Sequence, residues 1–152
     1  MADFNQLGNE MKKFAADAER AASKHVRATA LEAVRQLVMG TPVDSGRAAA
    51  SWFVSIGEPT EKIRDQSGFK ASKSEGERSA NANKALSIAI NDANKEIGSF
   101  TLQSGSLWIC NNMPYVGRLN DGWSARSPAG FVETAIQTAT LKIKSGIDRG
   151  VL

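Results

Sequence analysis

The sequence predicts an α+β domain in which a long N-terminal helix and a C-terminal helix pack on a small antiparallel sheet. Apolar residues recur with the helical period over the first forty positions and again near the C-terminus, and they alternate with a period of two in between. The composition, with 41% hydrophobic and 23% charged residues, is typical of a globular chain. Because 152 residues leave room for one modest core, residues 1–152 should form a single domain.

Residues 3–39 are predicted to form one long helix. Its apolar stripe is rich in alanine and consists of Phe4, Leu7, Met11, Ala15, Ala18, Ala22, Val26, Ala33 and Leu37. Gly40 and Pro42 should end the helix, because glycine suits a left-handed cap and proline cannot continue the hydrogen bonding. At ~1.5 Å per residue this helix is about 55 Å long, which exceeds the diameter of so small a domain. Part of it should therefore project or pack on another subunit.

The middle of the chain is predicted to hold one strand and one long loop. Residues 50–56 alternate between apolar and polar side chains and Gly57 closes the run, as expected of a strand. Residues 58–80 are polar, rich in Ser, Lys and Glu, and without periodicity. We expect a flexible surface loop there, solvated or ordered only when it meets a partner.

A second helix is predicted for residues 81–97, and Gly98 should end it. Residues 101–103 and 107–111 read as the two strands of a hairpin around a Gly-containing turn. Residues 114–119 then suggest one short helical turn.

The last helix should begin with Ser127 as its N-cap and Pro128 at its first position, a favourable pair at a helix start. Its apolar face consists of Phe131, Val132, Ala135, Ile136, Ala139 and Ile143. Gly146 should end or fray it.

The charge distribution does not indicate a nucleic-acid-binding protein. The net charge is +3 and the pI about 9.2, but the excess of Lys and Arg is spread thinly, without a basic arm or stripe. Apolar runs are too short to cross a bilayer, so we expect no membrane contact. The N-terminus has neither a basic start nor an apolar signal core, so secretion is not expected. One cysteine excludes an internal disulfide and fits a reducing cytoplasm.

The residues that an enzyme would need are scarce, so we expect no enzyme and no cofactor or metal site. His25 is the only histidine and lies on the flank of the helical stripe, where a partly exposed helix residue is expected. No motif supplies the carboxylate and exposed nucleophile that a serine triad would require. Cys110 follows Trp108 in a strand and reads as core. One cysteine and one histidine cannot form a structural zinc site.

Two kinds of residue are candidates for structural or interface roles. Trp52 and Trp108 should pack against the helices. Trp123 lies in a loop and is a candidate for an interface, where tryptophan often contributes most of the binding energy.

Pro42 and Gly46 should bracket a sharp reversal, within which Asp44 and Ser45 hydrogen-bond backbone groups. Turn and helix-start roles are likewise expected of Gly122 and Pro128. Arg47 should fork onto a carboxylate, either Asp44 or an acid on a neighbouring subunit. Tyr115 suits a site buried at one end.

Two segments resemble the tail-completion or neck proteins of long-tailed bacteriophages. Residues 41–47 (TPVDSGR) and the ASW that follows at 50–52 are similar to the family's "TPVDTGR…SW" signature. Residues 111–124 (NNMPYVGRLNDGWS) and 127–132 (SPAGFV) resemble its "NN-PYA--LE-G-S-QAP-GMV" stretch. The chain departs from the family at Asn120, where the family often has glutamate, and near Arg126, where it has glutamine. Together with the order of the helices, the resemblance covers most of the chain except residues 58–80.

The resemblance implies a structural virion protein, made in the host cytoplasm, that forms a hexameric ring at the neck or the top of the tail. Its partners would be adjacent connector and tail-terminator or tail-tube proteins, with genomic DNA passing through the lumen. Arg47, Tyr115, Trp123 and Arg126 are the candidate contact residues. Three alternatives remain open: a tail terminator that caps tube polymerisation, a small DNA-binding or packaging accessory protein, and a hydrolase with His25 in a pocket.

Overall fold

The fold is known from a computed structural model that describes residues 3–149. It is 61% helical and has one two-stranded antiparallel sheet, which confirms the α+β class. The helices are α1 (Phe4–Gly40), α2 (Arg47–Ala50), α3 (Glu75–Ile97), α4 (Val116–Asn120) and α5 (Phe131–Asp148). The strands are β1 (Phe53–Ile56) and β2 (Leu107–Cys110), paired with Val54 opposite Ile109.

The second half of α1 is the centre of the domain. Helix α5 runs antiparallel along it, since Phe131 lies against Gly40 and Lys142 Nζ donates to Glu32 Oε1 at 2.9 Å. Helix α3 packs on another side of α1 and also contacts β1. The buried residues between the helices are mostly alanines: Ala30, Ala33, Ala85, Ala89, Ala93, Ala135 and Ala139. Because alanine adds little bulk, these positions let the helix backbones lie close together.

The first half of α1 projects from this body. Asp3 caps its start by accepting a hydrogen bond from the Asn5 backbone N–H at 2.9 Å. From there to Ala18 every residue is exposed except the half-buried Gly8. The first contact with the body is at Glu19, whose Oε2 accepts from Gln103 Nε2 at 3.3 Å. About 15 residues, or ~22 Å of helix, therefore extend beyond the domain, as the length of the stripe predicted.

Trp52 is buried as predicted, and it ties the end of α1 to the start of the sheet. Its indole Nε1 donates to Thr41 Oγ1 at 2.9 Å, and the Thr41 hydroxyl donates to the Leu37 carbonyl at 2.7 Å. The prediction for Trp108 was wrong: this side chain is 41% exposed, and its Nε1 donates to the Gly57 carbonyl on the surface. Cys110 is only half-buried, so the prediction that it belongs to the core was wrong.

The strand and the loop that follows it are both shorter than predicted. Residues 47–50 form α2, a helical turn that begins at Gly46, so the strand starts only at Phe53. Helix α3 begins at Glu75 rather than residue 81, so residues 75–80 of the predicted loop are helical. The reason is a capped start: the N-cap Ser74 accepts from the Glu77 N–H through its Oγ, and Glu77 Oε2 accepts from the N–H of Lys73, the residue before the cap.

Residues 57–74, the remainder of that loop, have no regular structure but are tied to the body. Arg64 donates to the Ala50 carbonyl at 2.8 Å and pairs with Asp92 at 2.8 Å. Asn112 Nδ2 donates to the carbonyl of Thr60 at 2.7 Å and to that of Lys62 at 3.0 Å. Contacts with three different parts of the chain, at Ala50, Asp92 and Asn112, therefore hold this segment against the domain.

The predicted hairpin is absent from the described residues. Residues Leu102–Ser104 form a 3₁₀ turn whose first N–H donates to Ser23 Oγ on α1 at 3.2 Å. Strand β2 pairs instead with β1, which precedes it by about fifty residues. The short helical turn predicted at 114–119 is confirmed as α4.

Helix α5 begins later than predicted and runs past Gly146. Ser127 Oγ donates to the Gly40 carbonyl at 3.2 Å, and Pro128 lies in the turn before the helix. Gly130, with φ +80°, interrupts a helical path from Pro128. The cap comes from Asn120 instead, whose Oδ1 accepts from the Val132 N–H at 2.9 Å. Gly146 is buried inside the helix, which continues to Asp148.

Candidate interaction surface

The two segments that resemble tail-completion proteins lie side by side in the structure. They enclose a cleft of about 150 Å³, called the motif cleft below. Its lining residues are Pro42, Val43, Asp44, Ser45, Gly46, Arg47, Ala48, Tyr115, Leu119, Ser124 and Arg126. Of the four predicted contact residues, Arg47, Tyr115 and Arg126 therefore share one site, and Trp123 is the neighbour of a lining residue.

The first wall of the motif cleft is fixed by close contact with α3. Gly46 has φ +83°, a conformation that favours glycine, and a Cβ atom there would lie 2.8 Å from the Asn81 carbonyl oxygen. Asn81 Nδ2 donates back to the Asp44 carbonyl at 2.8 Å. The Asp44 carboxylate accepts from the hydroxyl and backbone N–H of Ser72 at 2.9 and 3.3 Å. Gly46 thus occupies a turn that favours glycine, whereas the Asp44 carboxylate binds Ser72 and not, as predicted, the backbone of its own turn.

Arg47 does not bind Asp44, one of the two carboxylate partners predicted for it. Its Nε donates to the Arg64 backbone carbonyl at 2.8 Å, so it fastens segment 57–74 beside the motif cleft. The carbonyl is a suitable partner because Arg64 is itself held by Ala50 and Asp92. Asp44, the acid nearest in sequence, is engaged with Ser72 instead.

The second wall is formed by α4 and the loop that follows it. Burial of the partly exposed Tyr115 raises the pKa of its phenol, and the nearby positive charge of Arg47 offsets part of that rise. Arg47 and Tyr115 line the same cleft from its two sides, so the two walls face each other. The phenol keeps its proton at neutral pH and can both donate and accept hydrogen bonds toward a ligand in the cleft.

Trp123 and Arg126 form the exposed rim. The Trp123 side chain is 74% exposed, and the Arg118 guanidinium lies over its ring at 5.3 Å from the centroid. Gly122, with φ +85°, sets the turn that presents this ring, and a Cβ there would lie 3.1 Å from Ala129. Arg126 is exposed and also lines a second, wider hollow of about 440 Å³ that shares Pro42 and Val43 with the cleft.

Within residues 3–149, no group of three or more His, Cys, Asp or Glu side chains is placed to hold a metal ion. His25 is half-buried on α1, as predicted, and its Nδ1 is buried with no hydrogen-bond partner among the described residues. It does not line the motif cleft. No helix described for the chain is both long and apolar enough to span a bilayer.

No protein-family model, curated protein or solved structure matches the chain. The resemblance to tail-completion proteins thus stays a prediction from two segments. The candidate surface consists of the motif cleft with Trp123 and Arg126 at its rim, together with the projecting half of α1.

Proposed function

We propose that the chain is a structural protein of a tailed bacteriophage, forming a ring at the neck that completes the tail and joins it to the head. The observation that supports this most is the motif cleft. Two segments that lie far apart in the sequence, and that each resemble tail-completion proteins, line one small site. A shared site is what we expect if the two motifs serve one role.

The size and lining of the cleft favour a protein partner over a small metabolite. Its volume of about 150 Å³ is well below the ~300–1,000 Å³ typical of ligand pockets, and it suits one inserted side chain. Beside it stand an exposed Trp123 and an exposed Arg126, two residue types that are enriched where protein interfaces gain most of their binding energy. The site therefore resembles half of a contact between subunits.

Ring formation would follow from placing this surface against a different surface of the next subunit. Such a head-to-tail contact closes when the rotation between neighbours divides a full turn, and six copies are the expected number. Segment 57–74 lies beside the motif cleft through the Arg47–Arg64 hydrogen bond, so it is the second contact we expect with adjacent connector or tail proteins. DNA passing through the lumen would meet few basic side chains and bind weakly, with strong salt dependence.

The proposal is tested in virions produced by the genome that encodes the chain. Mass spectrometry and electron microscopy should find the protein at the head–tail junction. Trp123→Ala should reduce joining of purified heads and tails at least roughly tenfold, because it removes the largest exposed anchor. Ile136→Ala, at a similarly exposed apolar residue on α5, is the matched control and should join normally.

Other outcomes would overturn the neck role. A chain that is absent from intact virions, or a Trp123→Ala variant that joins heads and tails as the wild type does, contradicts it. Tails of unregulated length in the variant would instead indicate a tail terminator. Tight duplex binding by the purified protein with a steep salt slope would indicate a DNA-binding accessory protein.

A further inference from the structure

The projecting half of α1 carries a row of large apolar side chains that no described residue covers. Phe4, Leu7, Met11 and Phe14 are 82%, 51%, 64% and 76% exposed, and Ala18 continues the row. The steps between them alternate between three and four residues, the spacing of a helix that packs lengthwise on another helix. We call these five residues the apolar seam.

The seam continues a line of α1 that is already used for helix packing. Further steps of three and four residues along the same line lead to Glu32 and Gln36, in the half of α1 that α5 covers. Since Lys142 lies beside Glu32 and α5 ends at Asp148, α5 stops at about the level of Val26. Along one side of α1, the second half of the helix is therefore covered by the antiparallel α5 and the first half is open. The open part is ~20 residues, or ~30 Å, long.

We propose that the apolar seam binds the seam of a second copy of this chain, with the two α1 helices antiparallel. The seam is self-complementary in that orientation. With Met11 at the two-fold axis, positions whose numbers sum to 22 face each other. The large Phe4 then falls opposite the small Ala18 of the other copy, and Phe14 falls opposite its Gly8. Large-against-small packing of this kind fills the holes between two helices without overlap.

The residues beside the seam also allow the two α1 helices to approach each other closely. Gly8 and Ala15 border it on one side and present almost no bulk. The incoming helix would end before it reached α5, so it would extend the groove that α5 fills rather than compete for it. Each helix would then have antiparallel partners along nearly its whole length.

The area is adequate for a stable pair. With ~150–250 Å² for each aromatic side chain and somewhat less for the others, the stated exposures leave about 500 Å² of seam surface per copy. A standard interface buries about 800 Å² per partner, and the borders of the helix can supply the remainder.

The charge pattern favours a protein partner over a lipid surface. Residues 3–24 hold equal numbers of both signs: Asp3, Glu10, Asp17 and Glu19 against Lys12, Lys13, Arg20 and Lys24. Two copies therefore do not repel each other through net charge. Helices that lie on membranes usually have a polar face dominated by Lys and Arg, which this segment lacks.

The first test is the molar mass of the full chain in solution, by sedimentation and light scattering. The wild type should have at least twice the 16.2 kDa of one chain in the micromolar range. Met11→Lys should weaken association at least roughly tenfold, because it buries two like charges at the axis. Asn9→Lys, on an exposed face off the seam, is the matched control and should associate normally. A wild-type monomer, or an assembly that Met11→Lys leaves intact, overturns the proposal.

The orientation is tested by disulfide crosslinking in a Cys110→Ser background. A chain with Phe4→Cys mixed with a chain with Ala18→Cys should crosslink to each other, and Met11→Cys should crosslink to itself. Preferred Phe4→Cys self-crosslinking would indicate parallel helices and overturn the antiparallel pair. The seam contact does not depend on the neck role: a monomer that joins heads and tails normally would refute the seam and leave the neck role standing.

Discussion

Replacing Gly46 by alanine should destabilise the domain by roughly 3 kcal/mol, since two costs add at this position. An L-residue held at φ +83° costs ~1–2 kcal/mol in the left-handed region. The new methyl would also lie 2.8 Å from the Asn81 carbonyl oxygen, which belongs to α3 and cannot move away without disturbing that helix. Overpacking of this kind costs about 2 kcal/mol. A gain of ~0.5 kcal/mol from the stiffer unfolded chain offsets only part of this.

Gly57→Ala separates the two costs. Gly57 has nearly the same backbone conformation, φ +86°, but a Cβ there meets nothing within 4 Å. This variant should lose only about 1 kcal/mol, the conformational cost alone. The free energies of unfolding come from urea denaturation followed by circular dichroism, with the slope of the transition checked for equality among the three proteins. Equal losses in the two variants would refute the close approach between the Gly46 turn and α3, and with it the fixed first wall of the motif cleft.

Three further predictions follow from single contacts. In a double-mutant cycle, Trp52→Phe and Thr41→Val should show a coupling of about 1 kcal/mol, the worth of their buried hydrogen bond, and additive effects would contradict it. Arg47→Met should raise the pKa of Tyr115, the only tyrosine, further above its ordinary 10.0, as measured by phenol absorbance. Because the pKa is higher in the folded state than in the unfolded state, the free energy of unfolding should fall as the pH rises past about 10. Arg64→Met should speed proteolysis within segment 57–74 about tenfold, and an unchanged cleavage rate would mean that its contacts do not hold the segment.

Local patterns predicted the elements whose cause is local. The length of α1 follows from its stripe, and its stop follows from Pro42. The left-handed cap predicted at Gly40 is absent, because Gly40 is helical and the cap residue is Thr41 in an extended conformation. The start of α3 also has a local cause, because Ser74 is followed three residues later by Glu77, a sequence pattern typical of a helix start, and Ser74 caps the helix.

The remaining differences come from contacts between distant parts of the chain. Strand β2 pairs with β1 rather than with the adjacent residues 101–103, which are drawn to Ser23 on α1. The start of α5 is decided by Asn120, which caps it from across a loop. The motif cleft is likewise formed by tertiary packing. No local pattern predicts that Arg47, Tyr115 and Arg126 lie in one site, and only the resemblance grouped them as contact residues.

The unbroken course of α1 has a mechanical consequence. The helix passes from the packed body to the exposed tip without proline, and proline is the commonest cause of a sharp bend. The tip therefore acts as a stiff arm: a tilt of 5° at the body moves Phe4 by ~2 Å over the ~22 Å of projecting helix. Side-chain packing tolerates less than that. Any partner that binds the tip thereby fixes the orientation of the whole domain to within a few degrees. A small contact at the tip is therefore enough to control the angle of the domain.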